Sequence, residues 1–327
     1  MIKKIEKVKL NFTYYNGVDS YSDGDIEEEL LDIVKNNENI EEAVYKSDKW
    51  PLIYHLSRQR QNILEWYDFK KNESILEVGA GCGAISGLFS KKLNKVVAVE
   101  ISKRRSEINA YRNKNCKNLE IMVGNLNDME ITEKFDYVTL IGVLEYSRGF
   151  TNSEEPEKEF LKKLKKYLKP NGKIIIAIEN KFGLKYWAGA KEDHTSRLFD
   201  GLQGYLDTDT IATYSKTELE NMLKVAEFHN FEFYYPFPDY KMPSTIYSEK
   251  YLPKIGDLRR LIHNYDMPRY VLFDEGIVYD QLILDNNMEK FSNSFLVIAE
   301  NSNTKKEEKG EDNGSIISKI FGHRKKS

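Results

Sequence analysis

The chain has 327 residues, a net charge of -3 and 12% aromatic residues. It is long enough to bury a full core, and its charge balance offers nothing that recruits nucleic acid or an anionic membrane. Two cysteines, Cys82 and Cys116, are too few for a disulfide framework or a metal site, and the lack of a charged-then-apolar leader or a long apolar run gives the expectation of a cytoplasmic protein.

Residues 1–73 read as a lead-in to a nucleotide fold rather than part of it. Residues 11–15, Asn16-Gly17 and residues 18–21 have the pattern of a hairpin with a glycine-bearing turn. Residues 26–34 follow as a short acidic helix. Ile53, Leu56, Ile63, Leu64 and Tyr67 then mark an amphipathic helix of about four turns, which also carries His55, Arg58 and Arg60.

The centre of the chain is residues 74–100. An apolar run (Ile75, Leu76, Val78) passes through Gly79, Gly81 and Gly83 into an amphipathic segment and emerges in Val96, Val97, Ala98 and Val99 before Glu100. That is a strand, a glycine turn, a helix and a second strand. As a bare pattern, residues 79–84 fit the dinucleotide fingerprint, which also requires an acid about 20 residues later. Glu77 argues for a different occupant. A carboxylate two residues before the first glycine repels a pyrophosphate held by helix amides, and it welcomes the ammonium and sulfonium of S-adenosylmethionine. Glu100 suits either cofactor, because a carboxylate at the end of the second strand takes both ribose hydroxyls.

Residues 103–114 read as a polar helix and residues 119–123 as a third strand, ended by Gly124-Asn125-Leu126-Asn127-Asp128 at the face where open sheets bind ligands. Residues 135–141 are the fourth strand, and Gly142-Val143-Leu144-Glu145-Tyr146 is its loop, flanking the same crevice. Phe160, Leu161, Leu164 and Leu168 form a helix stripe stopped by Pro170-Asn171-Gly172. Residues 173–178 are an uninterrupted apolar strand of the kind a parallel sheet covers on both faces. Ser215 with Glu218 is a capping box opening a helix, and residues 231–235 and 294–299 are the last two strands.

Glu77-Val-Gly-Ala-Gly-Cys-Gly83, Val99-Glu100, Gly124-Asn125 and Leu168-Lys-Pro-Asn-Gly-Lys173 together resemble the motif series of class I S-adenosylmethionine-dependent methyltransferases, in order and at the right spacing over residues 73–180. The resemblance implies an α/β, Rossmann-like sheet of seven strands, mostly parallel with the last antiparallel. It implies S-adenosylmethionine as cofactor, held by Glu77, Gly79, Ala80, Gly81, Gly83, Glu100, Ile101, Asn125, Leu126 and Gly142. Family patterns often have aspartate where this chain has Asn125. Helices ahead of the first strand commonly close over the cofactor in such proteins, so Tyr54 or Arg58 either touches its carboxylate or belongs to a solvated face.

The domain reading is therefore a cap over residues 1–73, a methyltransferase domain over 74–301, and a tail over 302–327. Insertions at 179–214 and 236–293 are long for a compact domain and read as a substrate lid. The second contains a predicted helix over 255–265 and an apolar stripe through Ile277, Leu282, Leu284 and Met288. The tail begins with a mixed-charge run of disordered character. It ends in Ile316, Ile317, Ile320 and Phe321 ahead of a basic cluster, either a frayed end or a short element touching a membrane or partner.

Methyl transfer from a sulfonium needs binding, alignment and exclusion of water more than it needs a strong base. If the acceptor is a hydroxyl, the base candidates are Glu145, Asp193, His194 and Asp200. His194 titrates near neutrality, but a lone histidine in a polar loop is usually a surface residue, and Glu145 equally suits holding backbone amides. Tyr186, Trp187, Tyr205, Tyr234, Tyr235, Tyr240, Tyr247 and Tyr251, interleaved with Asp193, Asp200, Asp207, Asp209 and Asp239, suit a polyhydroxylated ligand such as a sugar. The competing reading is that these rings pack the lid against the sheet. Residues 179–205 and 234–253 are also similar to bacterial methyltransferases associated with surface-glycan biosynthesis, which implies a sugar or glycan-linked acceptor. Against a nucleic-acid amino-methyltransferase stands the absence of an Asn/Asp-Pro-Pro-aromatic turn after the fourth strand. Against an NAD-dependent oxidoreductase stand Glu77 and the lack of a Tyr-x-x-x-Lys pair there. A catalytically silent binding module and a methyltransferase for small molecules or proteins unrelated to glycans are the remaining alternatives.

Overall fold

A computed structural model describes residues 1–19, 22, 24–36, 39–260 and 268–302. Ten strands form a single sheet: β1 (Ile2–Ile5), β2 (Val8–Tyr14), β3 (Ser74–Val78), β4 (Lys95–Glu100), β5 (Leu119–Gly124), β6 (Phe135–Ile141), β7 (Leu168–Glu179), β8 (Asn230–Phe237), β9 (Thr245–Ser248) and β10 (Ser294–Glu300). Their order across the sheet is β1-β2-β5-β4-β3-β6-β7-β10-β8-β9. Neighbours from β2 through β7 pair in parallel, while β10 runs antiparallel to both β7 and β8.

The expectation of seven strands is corrected by the two edges. The seven central strands, β5 to β8, have the predicted character, but β1 and β2 extend one edge and β9 the other. The N-terminal hairpin lies earlier than the turn at Asn16-Gly17 suggested. Ile5 pairs with Val8 across a turn in which Glu6 takes a positive φ of 49°. Val8 and Leu10 then face the core, so the first residues belong to the nucleotide sheet rather than leading into it.

Alternation along the strands builds a core on each face. Leu76, Val138, Leu140, Ile174, Ile176 and Val297 pack on one side; Ile75, Val96, Ala98, Ile121, Ile175 and Leu296 pack on the other. Every residue of β3 is buried, as a strand covered on both faces requires. A third, smaller core joins the helix Ile26–Asn36 to Leu52, Leu56, Cys82 and Ile108, fixing the cap over the glycine turn.

Four local expectations are also corrected. The long helix expected over residues 53–67 is broken into Trp50–Leu56, a 3-10 turn Arg58–Gln61 and Asn62–Glu65, because Ser57 is extended (ψ 137°) and its hydroxyl caps Gln59 N–H. Leu168 already belongs to β7, opposite Phe135, and Pro170-Asn171-Gly172 bulges within that strand rather than ending the helix, which is Pro156–Lys165. Residues 255–260 form turns where a helix was expected; the rest of that expectation lies outside the described residues. The stripe from Ile277 to Met288 is split between helices Glu275–Leu284 and Met288–Phe291, with Ile277 and Leu284 exposed.

The capping box on the helix Lys216–Val225 forms as expected, with Ser215 and Glu218 bonding reciprocally. Among the described residues no helix is long and apolar enough to cross a membrane. Both readings of the tail lie outside the described residues.

Candidate active site

The strand order reverses on either side of β3, so the C-terminal ends of β3 and β6 diverge and leave a crevice there. A cavity of about 410 Å³ occupies it. One wall is the glycine turn. Gly81 sits at φ +52°, and a Cβ built on it meets no atom within 4 Å, so the turn faces the cavity there with bare backbone. Gly83 has the opposite requirement: a Cβ would come 2.2 Å from Asn109 Oδ1, so this glycine lets two segments pack.

Of the residues expected around the cofactor, Gly79, Ala80, Gly81, Glu100, Ile101, Asn125, Leu126 and Gly142 line the cavity. Glu100 Oε2 accepts from Gly81 N–H at 2.7 Å and Oε1 from Ser102 N–H at 2.9 Å, which aims the carboxylate at the turn. Burial raises its pKa. Asn125 caps the turn after β5 by accepting from Asn127 N–H.

Gly83 and Glu77 do not line the cavity, and the electrostatic role expected of Glu77 is corrected. Its carboxyl lies beneath the turn and accepts from Ser86 Oγ at 2.6 Å, while that hydroxyl accepts from Asn109. Burial pushes Glu77 up to about 8, against the Ser86 hydrogen bond, and the carboxyl pins strand to helix from outside the cavity lining.

The cap supplies Trp50, Tyr54 and Arg60 to the opposite wall. Arg60 is buried, with its guanidinium over the Tyr54 ring at 4.2 Å and one nitrogen donating to Lys241 O at 3.2 Å. Its Nε has no hydrogen-bond partner. Arg58, the arginine singled out from the sequence, is exposed and lies 3.5 Å from Glu65. The break at Ser57 exchanges the two, and a uniform helix period hides it.

The third wall comes from the two insertions expected to form a lid, where Asp193, His194, Tyr240 and Lys241 meet Glu145 and Tyr146 from the loop after β6. Glu179, ending β7, stands behind them with its side chain fully buried. Lys241 Nζ pairs with both Glu179 and Asp193; Lys185 Nζ, also buried, lies 2.8 Å from Asp193. Burial works against the charge on Asp193, but Lys185 and Lys241 outweigh it and hold the carboxyl well below the usual range. Asp193 is thus an anchor for two ammonium groups rather than a free base.

His194 Nε2 is 3.6 Å from Glu179 Oε2, and Nδ1 is 3.3 Å from the Tyr146 hydroxyl. Burial pulls His194 down, yet Glu179 and Glu145 overcome it and push it up to about 9. Burial, with Glu179 nearby, pushes Glu145 up to about 8. Both shifts favour the protonated form of these two base candidates. Asp200 is buried away from the cavity.

Glu179, Lys185 and Lys241 were not singled out from the sequence. Glu179 had a signal, an acid closing the run Ile174–Ile178 as Glu100 closes β4; the lysines had none. Part of the ring-and-acid pattern read as a sugar surface is packing. Tyr186, Tyr205 and Tyr235 are buried with their hydroxyls on Asp193, Thr213 and Glu289, and among the tyrosines of that pattern only Tyr240 lines the cavity.

Residues 76–174 match a protein family described as a methyltransferase domain. The ribosomal RNA small subunit methyltransferase A of Borreliella afzelii is 40% identical over 65 residues, which is 20% of this chain and 23% of that protein. The chain therefore spans under a quarter of the length of this curated relative. Among solved structures, Haemonchus contortus phosphoethanolamine N-methyltransferase 1, in complex with phosphoethanolamine and S-adenosylhomocysteine, superposes with a TM-score of 0.47 at 13% identity, over 84% of this chain and 48% of that one. A Thermotoga maritima protein described as an S-adenosylmethionine-dependent methyltransferase, possibly a histamine N-methyltransferase, gives 0.46 at 15%, over 83% and 99%.

The cavity fits the donor that such domains use: bare backbone at Gly81, a carboxylate at Glu100 for hydroxyls, and an unpartnered arginine nitrogen at Arg60 for a carboxylate. Residues 76–174 thus match a methyltransferase domain, and S-adenosylmethionine is the cofactor that this cavity suits.

Proposed function

We propose that the chain transfers a methyl group from S-adenosylmethionine to an oxygen or nitrogen of a sugar or glycan-linked acceptor. The observation carrying this reading is that the polar cluster of the lid opens into the same cavity as the glycine turn. When bound, the donor supplies a methyl group on a sulfonium leaving group. The chain's own residues then have three tasks.

Glu100, Asn125 and Arg60 orient the donor's polar ends. The cap and Tyr240 exclude water, so that reactants are aligned in a dry site. Glu145, His194 and Lys241 present a carboxyl, an imidazole and an ammonium within one wall, which suits an acceptor with several hydrogen-bonding groups and little charge. Burial raises Glu145 above its usual range; burial pulls His194 down, but the neighbouring carboxylates carry it above its own. Proton removal from an acceptor hydroxyl is therefore favoured on the alkaline side. Glu192 fixes the histidine loop by accepting from His194 N–H and Thr195 N–H.

The test is transfer of radiolabelled methyl from the donor to a panel of free, nucleotide-linked and lipid-linked sugars, beside amines and peptides. Label on a sugar supports the reading. Label confined to peptides or non-sugar amines removes the glycan acceptor, and binding of NAD in place of S-adenosylmethionine removes the methyl transfer itself.

A further inference from the structure

The lid cluster holds several buried ligand atoms that make no hydrogen bond. One oxygen from each of Glu145 and Glu179 and one ring nitrogen of His194 lie within 4.8 Å of one another. Glu145 is 1% exposed, and the side chains of Glu179 and His194 are 0% and 10% exposed. Glu145 Oε2, Glu179 Oε2 and His194 Nε2 have no partner at hydrogen-bond distance, and the last two face each other at 3.6 Å. Such groups are rare inside proteins, because an unsatisfied buried acceptor costs the full desolvation of that group.

The two lysines do not remove this deficit. Lys241 engages Glu179 through Oε1 and turns otherwise to Asp193, and Lys185 is committed to Asp193. Among the described residues Glu145 has no ion-pair partner within 4 Å. Both Glu145 and His194 line the cavity, so a ligand can reach the gap between them.

We propose that Glu145, Glu179 and His194 form a divalent-cation site at the lid end of the cavity. Two carboxylate oxygens and one imidazole nitrogen suit manganese or magnesium, with zinc as a tighter competitor. Metal-ligand bonds of about 2.0–2.2 Å draw ligands closer together than the present spacing, through small rotations of the three side chains. Lys241 stays on the other oxygen of Glu179 and Tyr146 on the other nitrogen of His194, the outer-shell partners that fix ligand orientation. The three remaining positions of an octahedral ion face the cavity, where they take water or neighbouring hydroxyls of an acceptor. That last role rests on the proposed sugar acceptor; the metal site itself does not.

The test uses the full chain, stripped with chelator and titrated with Mn²⁺ while free ion is followed by electron paramagnetic resonance. The expected result is saturable binding of one ion per chain, with nitrogen coupling from one imidazole in the spin-echo spectrum. Glu145→Gln and His194→Gln each weaken binding about tenfold or more, while Asp200→Asn, an acid outside the cavity, leaves it unchanged. Absence of saturable binding at millimolar Mn²⁺, in protein that still binds S-adenosylmethionine by calorimetry, overturns the site. So does binding without nitrogen coupling, a readout that does not depend on the variants folding. Saturable, nitrogen-coupled binding in a protein that methylates no sugar leaves the metal site standing and removes only the acceptor assignment.

Discussion

The two ends of the cavity are made in different ways. At the glycine turn, the wall is backbone: a tight bend, strands of apolar residues, and one carboxylate reaching 19 residues back to Gly81 N–H. At the lid, the wall is polar side chains at residues 145, 193, 194 and 241, backed by the buried side chains of Glu179 and Lys185. A backbone wall keeps its shape whatever surrounds it, whereas a charged wall exists only while each ion keeps its counter-ion. Substitutions at the lid are therefore expected to cost fold stability, and substitutions at the turn to cost ligand affinity.

The largest expected effect is at Lys185, whose buried ammonium lies against Asp193. Lys185→Met keeps the length of the side chain and removes one of the two cations that stabilise Asp193. Removing one partner of a buried pair costs about 3 kcal/mol or more, because the other charge is left uncompensated. Urea unfolding of the variant should show that loss, and adding Asp193→Leu should recover part of it. Equal stability of wild type and Lys185→Met would mean that the lid cluster does not hold the lid.

At the other end, Gly81→Arg fills the open face of the turn and places an L-residue at φ +52°. Donor affinity should fall at least a hundredfold, about 2.7 kcal/mol, with an unchanged circular dichroism spectrum. Glu77→Gln is the contrast: because the carboxyl lies beneath the turn, calorimetry should give a donor affinity within about threefold of wild type. A large loss there would restore the electrostatic role that the sequence suggested. Between the two ends, Arg60→Leu should weaken the donor about tenfold, or 1.4 kcal/mol, while Arg58→Leu leaves it unchanged.

This division also explains how much was readable in the sequence. The turn could be read because its requirements are local: glycines at fixed spacing, apolar strands of period two, and an acid at a strand end. The strand limits at Phe135–Ile141 and the capping box at Ser215 follow from the same local rules. The lid could not be read this way. Lys185 and Lys241 look like ordinary surface lysines, and only the pairing of β10 between β7 and β8 brings their segments together. Arg60 was missed for a local reason, a serine that interrupts a helix with an otherwise continuous apolar period. β1 and β9 were missed because short edge strands carry little pattern, and β2 was read a few residues late because the glycine at 17 drew the hairpin turn to it.

A smaller effect on stability than at Lys185 is expected at the seam between the segment after β6 and the first insertion. Arg148, just after the loop of β6, and Tyr214, at the end of the first insertion, both bond Glu157 Oε1, at 2.6 and 2.7 Å. Burial pushes Glu157 up, but the Arg148 and Tyr214 hydrogen bonds outweigh it and hold its pKa below the usual value. A carboxyl whose pKa is depressed on folding contributes stability above its unfolded pKa, near 4.3, and that contribution disappears as pH falls through the folded value. Arg148 is partly exposed, so solvent screening limits the contribution to about 1 kcal/mol. Glu157→Gln should therefore unfold at a lower urea concentration than wild type at pH 7, and the gap should close as the pH is taken below 4. A gap that persists unchanged in acid would show that the seam is held by packing around Tyr214 rather than by the charge on Glu157.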